Sequence, residues 1–99
     1  MVTRHDLMHH PVLRAAARAA ERGECYRETP VTWRLGDGGL LEGTVDLAYI
    51  AGDELVVIDF KTDRELEGVM DRYQRQVQIY AAAAGSALGI KARAILMRI

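Results

Sequence analysis

The chain has 99 residues, 13 Lys and Arg against 14 Asp and Glu, a net charge of −1 and 49% apolar residues. That length allows one domain rather than two, and the apolar content excludes simple disorder. No apolar run approaches the roughly 20 residues of a membrane helix, Met1–Asp6 has no signal-peptide core, and the single Cys25 excludes an internal disulfide or a Cys-only zinc site, as expected of a chain in a reducing cytoplasm.

The near-zero charge is unevenly spread. Residues 1–36 carry +2, residues 37–60 carry −6 with no basic side chain, and residues 61–99 carry +3. An acidic centre between basic flanks fits poorly to a simple basic nucleic-acid module. It suits a centre that gathers cations and edges that tolerate polyanions, unless the charges merely cluster in strand–turn–strand segments.

The whole of residues 1–99 reads as one domain without repeats or a linker. Residues 11–22, rich in Ala, Leu and Arg, predict a helix that opens on Pro11 and stops at Gly23. Residues 25–35 predict a strand with Val31, Trp33 and Leu35 on one face, and Pro30 makes it an edge strand or a bulged one. Asp37-Gly38-Gly39 is a hairpin turn signal. Residues 40–50 form a second strand, Ala51-Gly52-Asp53 a second turn, and residues 54–61 a third strand with Leu55-Val56-Val57-Ile58 at its heart. The three make an antiparallel meander. Residues 65–84 predict a long helix with Val69, Tyr73, Val77, Tyr80 and Ala84 as its apolar stripe and Gly85 and Gly89 as its end. Residues 91–98 alternate as a last strand. The order αβββαβ predicts an α/β or α+β fold, a mixed sheet flanked by helices.

The chemistry concentrates in Glu42-Gly43-Thr44-Val45-Asp46 and in Val57-Ile58-Asp59-Phe60-Lys61-Thr62. Residues two apart on a strand share a face about 6.5 Å apart. Asp59 and Lys61 therefore point one way, and Ile58 and Phe60 the other. A charged pair at the end of a strongly apolar strand is costly unless paired or metal-bound. The meander brings Asp46 opposite the region of Asp59, with Glu42 and Thr44 on Asp46's face. Two carboxylates and a lysine on adjacent strands match a Mg²⁺ site, in which the cation keeps waters and takes phosphate oxygens. A half-exposed surface ion pair between Asp59 and Lys61 is the simpler alternative.

Gly43-Thr44-Val45-Asp46, Val57-Ile58-Asp59-Phe60-Lys61-Thr62-Asp63-Arg64 and Tyr73-Gln74-Arg75-Gln76-Val77-Gln78-Ile79-Tyr80 together resemble the PD-(D/E)XK nuclease superfamily. The likeness is to the RecB/AddA-type nuclease domain of UvrD-like helicase–nucleases, which carries a Gly-x-x-Asp strand, an Asp-Tyr-Lys-Thr strand and a Gln-x-x-x-Tyr helix in this order. It runs from about Glu28 to Tyr80. The resemblance implies a restriction-endonuclease-like core and a Mg²⁺-dependent deoxyribonuclease of exonuclease type, with Mn²⁺ as a substitute metal. It implies DNA as substrate, a helicase domain as partner, no membrane, and a role in recombination and repair. Asp46 and Asp59 would ligate the metal, with the Phe60 carbonyl as a further ligand. Lys61 would be the catalytic lysine, and Gln76 and Tyr80 would complete the motif beside the site. Glu28 matches an acidic position before the family's first strand and would be accessory. Arg64, Arg72 and Arg75 are candidate phosphate contacts, or else a solvated face on which Asp71 and Arg75 pair.

The chain departs from that pattern in two ways. Larger members carry a His on an upstream helix, and none of His5, His9 and His10 has that context; each reads as a surface His. Phe60 stands where Tyr is common. No Walker motif is present, so ATP hydrolysis is not expected of this stretch. The stretch reads as the core of a domain cut from a larger helicase–nuclease. The rival readings are a non-catalytic module of the same fold that binds DNA or docks a partner, and a small scaffold with no nucleic-acid role.

Overall fold

A computed structural model describes residues 10–34 and 36–99. His5, His9 and Leu35, and the side chain of Trp33, lie outside what it describes. The elements are helix α1 (Pro11–Glu21), strands β1 (Cys25–Arg34), β2 (Leu40–Ala51) and β3 (Glu54–Lys61), a helical turn α2 (Asp63–Leu66), helix α3 (Met70–Leu88) and strand β4 (Lys91–Arg98). The sheet order is β1-β2-β3-β4, antiparallel across the first two pairs and parallel between β3 and β4. Parallel neighbours need a long crossover, which α2 and α3 supply.

α1 starts where Pro11 has no N–H to lose, and the Nδ1 of His10 accepts a hydrogen bond from the Val12 N–H at 3.1 Å. His10 is thus a helix cap. Ala16 and Ala19 are the buried residues of the helix, and their small side chains let it lie close against Leu47, Tyr49, Val56, Ile58 and Met97. On the opposite face, Val77, Ala81 and Ala83 of α3 pack on Val31, Val45, Ala48, Leu55 and Val57. β3 is therefore covered on both sides. Its Leu55-Val56-Val57-Ile58 run has at most 1% exposure, the continuous apolar pattern of a central strand.

The long predicted helix is broken in two. Thr62 caps α2 through a reciprocal capping box with Glu65. Glu67 leaves the helical region, Gly68 takes a φ of +74°, and α3 begins afresh at Met70. Val69 therefore falls outside the apolar stripe and is exposed. The helix also runs past Gly85 to Gly89, whose φ of +71° makes it the cap. Gly85 is a contact point instead, since a Cβ there would come within 2.7 Å of the Ala92 Cβ.

Strands β1 and β2 change phase together. Val45 and Ala48 both pack on the α3 side, while Leu47 and Tyr49 pack on the α1 side. Strict alternation would separate Val45 from Ala48. On β1, Cys25 packs on the α1 side and Val31 on the α3 side, although a regular strand would hold both on one face. Arg27 pairs with Leu47 and Thr29 with Val45, so Glu28 lies opposite Asp46 where the phase changes. Glu28 has a φ of +46°, an uncommon conformation for a side chain with a Cβ. The backbone irregularity of this sheet thus falls on two acidic residues singled out from the sequence.

Candidate active site

Pairing between β2 and β3 stops at Leu47 and Ile58, and the next step of that register sets Asp46 across from Asp59. Beyond it the side chain of Asp46 replaces the backbone ladder: its Oδ2 accepts the Phe60 N–H at 2.9 Å. Asp59 and Lys61 lie past the buried quartet, and the Lys61 ammonium meets Asp59 Oδ2 at 2.8 Å. Both side chains are less than one-fifth exposed, at 17% for Lys61 and 18% for Asp59. This is a partly buried ion pair.

The electrostatics follow from that placement. Burial pushes the Asp59 carboxyl above its ordinary pKa; the hydrogen bond and charge of Lys61 pull it back, and Asp46 pushes it up again. Burial works against the Lys61 ammonium, but its hydrogen bond to Asp59 and the charges of Asp59, Asp46 and Glu65 outweigh it, so its pKa rises. Glu65, fixed by the Thr62 backbone and hydroxyl, is held below the usual carboxylate range. Asp46 beside Asp59 adds a like charge that pushes its carboxyl up, the situation that a divalent cation relieves.

The donor set fits a hard cation: two adjacent carboxylates and the Phe60 carbonyl, all oxygens. Among the described residues no three His, Cys, Asp or Glu side chains gather into a closed metal cage. Glu28 is exposed and lines, with Asp46, Phe60 and the α1 residues Leu13 and Ala16, a cleft of about 720 Å³. It shares that cleft without joining the Asp46–Asp59 pair.

On α3, the Gln76 amide donates to the Tyr80 hydroxyl at 2.9 Å. Tyr80 rests on Gly43, where a Cβ would fall within 2.2 Å of the ring carbon bearing the hydroxyl. The glycine of the Gly43–Asp46 motif is therefore the seat for the tyrosine of the helix motif. Neither Gln76 nor Tyr80 hydrogen-bonds Asp46, Asp59 or Lys61. The α3 residue that reaches the lysine is Tyr73, with its ring centre 5.0 Å from the Lys61 nitrogen. In the sequence Tyr73 is legible as part of an apolar stripe and as the start of the segment that ends at Tyr80, with no role of its own. Its spacing of three and seven from Gln76 and Tyr80 is the signal that it shares their face.

Arg64, Arg72 and Arg75 are exposed. Among the described residues the ion pairs are Arg22–Glu24, Asp59–Lys61, Glu54–Arg93 and Asp63–Arg98. The three arginines are in none of them, and the Asp71–Arg75 pair is not formed. Arg72 and Arg75 border a shallow depression with Leu66 and Val69. No helix among the described residues is long and apolar enough to cross a membrane.

The family model of the PD-(D/E)XK nuclease superfamily matches residues 2–99. An ATP-dependent helicase/nuclease subunit of Clostridium kluyveri is 27% identical over 75 residues, covering 74% of this chain and 6% of that protein. The protein of the same name from Pediococcus pentosaceus is 38% identical over 60 residues, covering 52% of this chain and 5% of its own length. The chain thus spans a small fraction of the relatives it matches. With that family model matching nearly its whole length and a four-stranded mixed sheet between helices, the chain belongs to the PD-(D/E)XK nuclease superfamily.

Proposed function

We propose that this chain is a DNA nuclease domain that hydrolyses phosphodiester bonds with Mg²⁺, or Mn²⁺ in its place, in the exonuclease manner of a helicase–nuclease acting in recombination and repair. A cytoplasmic location goes with that reading. The observation that carries it is the convergence of Asp46 and Asp59 across the end of the β2–β3 ladder, with Lys61 held on Asp59 at 2.8 Å. The names of the relatives add the association with a helicase.

Asp46, Asp59 and the Phe60 carbonyl would hold the cation, and Glu28 could add an oxygen across the cleft. When bound, the cation supplies the Lewis acidity that polarises a phosphate, activates water and stabilises the leaving oxygen. The protein's own part is orientation. Asp46 is fixed by the Phe60 N–H, so its free oxygen has a defined direction. Lys61 presents a fixed positive charge where negative charge develops on the phosphate, and its donors can orient the attacking water. Gln76 and Tyr80 brace α3 against β2 at Gly43. Arg64, Arg72 and Arg75 supply sequence-independent phosphate contacts.

The test is cleavage of end-labelled DNA by the wild type, Asp59→Ala and Lys61→Ala with Mg²⁺ or Mn²⁺. Wild-type cleavage that falls at least about a hundredfold in either variant is expected. Equal cleavage by all three would remove the assigned roles. One alternative, a non-catalytic module that binds DNA or docks a partner, is favoured by the lack of the family's upstream context around His5, His9 and His10. DNA binding with no cleavage under either metal would establish the first form of that alternative.

A further inference from the structure

The Lys61 ammonium makes three close contacts, with the charges of Asp46 and Glu65 further off: Asp59 Oδ2 at 2.8 Å, the Phe60 carbonyl at the outer limit of 3.5 Å, and the face of the Tyr73 ring at 5.0 Å. The first two are oxygens assigned above to a divalent cation. A cation seated on them competes with the ammonium for their lone pairs and repels it. The aromatic face is no ligand for a hard cation, but it attracts an ammonium through its quadrupole. It is the neighbour that metal binding leaves intact.

Tyr73 is built to stay in place. It is partly buried, with Val77 one turn further along α3 in the core. The next turn is held by the Gln76–Tyr80 bond and by Tyr80 on Gly43. The ring is therefore carried by a helix seated on the sheet through Val77 and Tyr80, on a different element from the lysine and its oxygens.

Resting on the metal-nuclease reading, we propose that Tyr73 is a positioning residue that keeps the ammonium of Lys61 at the reacting centre while Asp59 and Phe60 are engaged by the cation. Lys61 thereby exchanges an oxygen-held position for a ring-held one without leaving the site.

The full chain contains two lysines, Lys61 and Lys91. With ¹³C-labelled lysine the ε-methylene groups give two NMR signals, assigned by Lys91→Arg. The ring current of Tyr73 should displace the Lys61 signal upfield. The displacement should persist as Mg²⁺ is added until the Asp59 carboxylate signal stops moving. In Tyr73→Leu it should vanish, and kcat for DNA cleavage should fall about tenfold with KM unchanged. Tyr73→Phe should restore both. Loss of the displacement in the wild type on Mg²⁺ addition would overturn the proposal and needs no variant. So would a folded Tyr73→Leu with wild-type kcat. Absence of cleavage by the wild type would instead count against the nuclease reading, while the ring-current measurement still decides where Lys61 sits.

Discussion

The two faces of the sheet do different work with similar material. On the α1 face, Ala16 and Ala19 meet Leu47, Tyr49, Val56, Ile58 and Met97 in a purely apolar seam. On the α3 face, packing fills only the half of the helix from Val77 onward; the preceding turns present Tyr73 and Gln76 to Lys61 and Tyr80. β3 serves both faces in its first half and carries the charges in its second. A strand clamped on both sides gives a rigid base, and the three residues beyond the clamp inherit that rigidity, as a site that must hold two like charges together requires.

The apolar half should be the more sensitive to truncation. Ile58→Ala removes a fully buried side chain from the α1 seam and should destabilise the fold by about 2–5 kcal/mol, read by chemical denaturation. If it costs no more than a surface change, the seam is not the base of the site.

Gly43→Ala tests the join between the two functions. The added methyl collides with Tyr80, so the helix or the ring must move, with a cost of about 1–3 kcal/mol. Cleavage should fall beyond what the lost stability explains, because the displaced helix carries Tyr73. A variant with normal activity would show that α3 and the site are not coupled through Gly43.

The smallest effect separates charge from packing. The Asp59 carboxyl has a raised pKa in the fold. Its protonated form is therefore favoured by folding, and the stability this gives is full below the unfolded carboxylate pKa and lost as pH rises through the folded value. Lys61 shifts the same way, so its contribution is lost only at alkaline pH, as pH rises through its own raised pKa. Metal-free wild type should thus lose melting temperature relative to Asp59→Asn as pH rises above the ordinary carboxylate value of 3.8. Added Mg²⁺ should recover it in the wild type and not in the variant. Parallel melting profiles would mean that burial and Asp46 do not together raise the Asp59 carboxyl.

Most of the architecture is legible in the residues. The apolar quartet Leu55–Ile58, the turn glycines and the Ala-rich first helix each encode a local preference, and the first helix and the four strands form within a residue or two of their expected bounds. The long helix is the exception, because its apolar spacing runs across the break. Only the Thr62–Glu65 box and Gly68 mark the interruption, and nearby polar residues are weak signals against a strong periodicity.

By itself the sequence determined the composition of the site: which strands carry Asp46, Asp59 and Lys61, and that a Gln and a Tyr follow on a helix. Those choices are local and written in motif spacing. The tertiary structure decided the rest. Glu28 and Asp46 oppose each other at a shared change of phase, Asp46 turns to cap the Phe60 N–H, Tyr80 sits on Gly43, and Tyr73 reaches Lys61. Each of these joins residues far apart in the chain, and their distances are set by how the helix lies on the twisted sheet, a global packing solution that no single segment encodes.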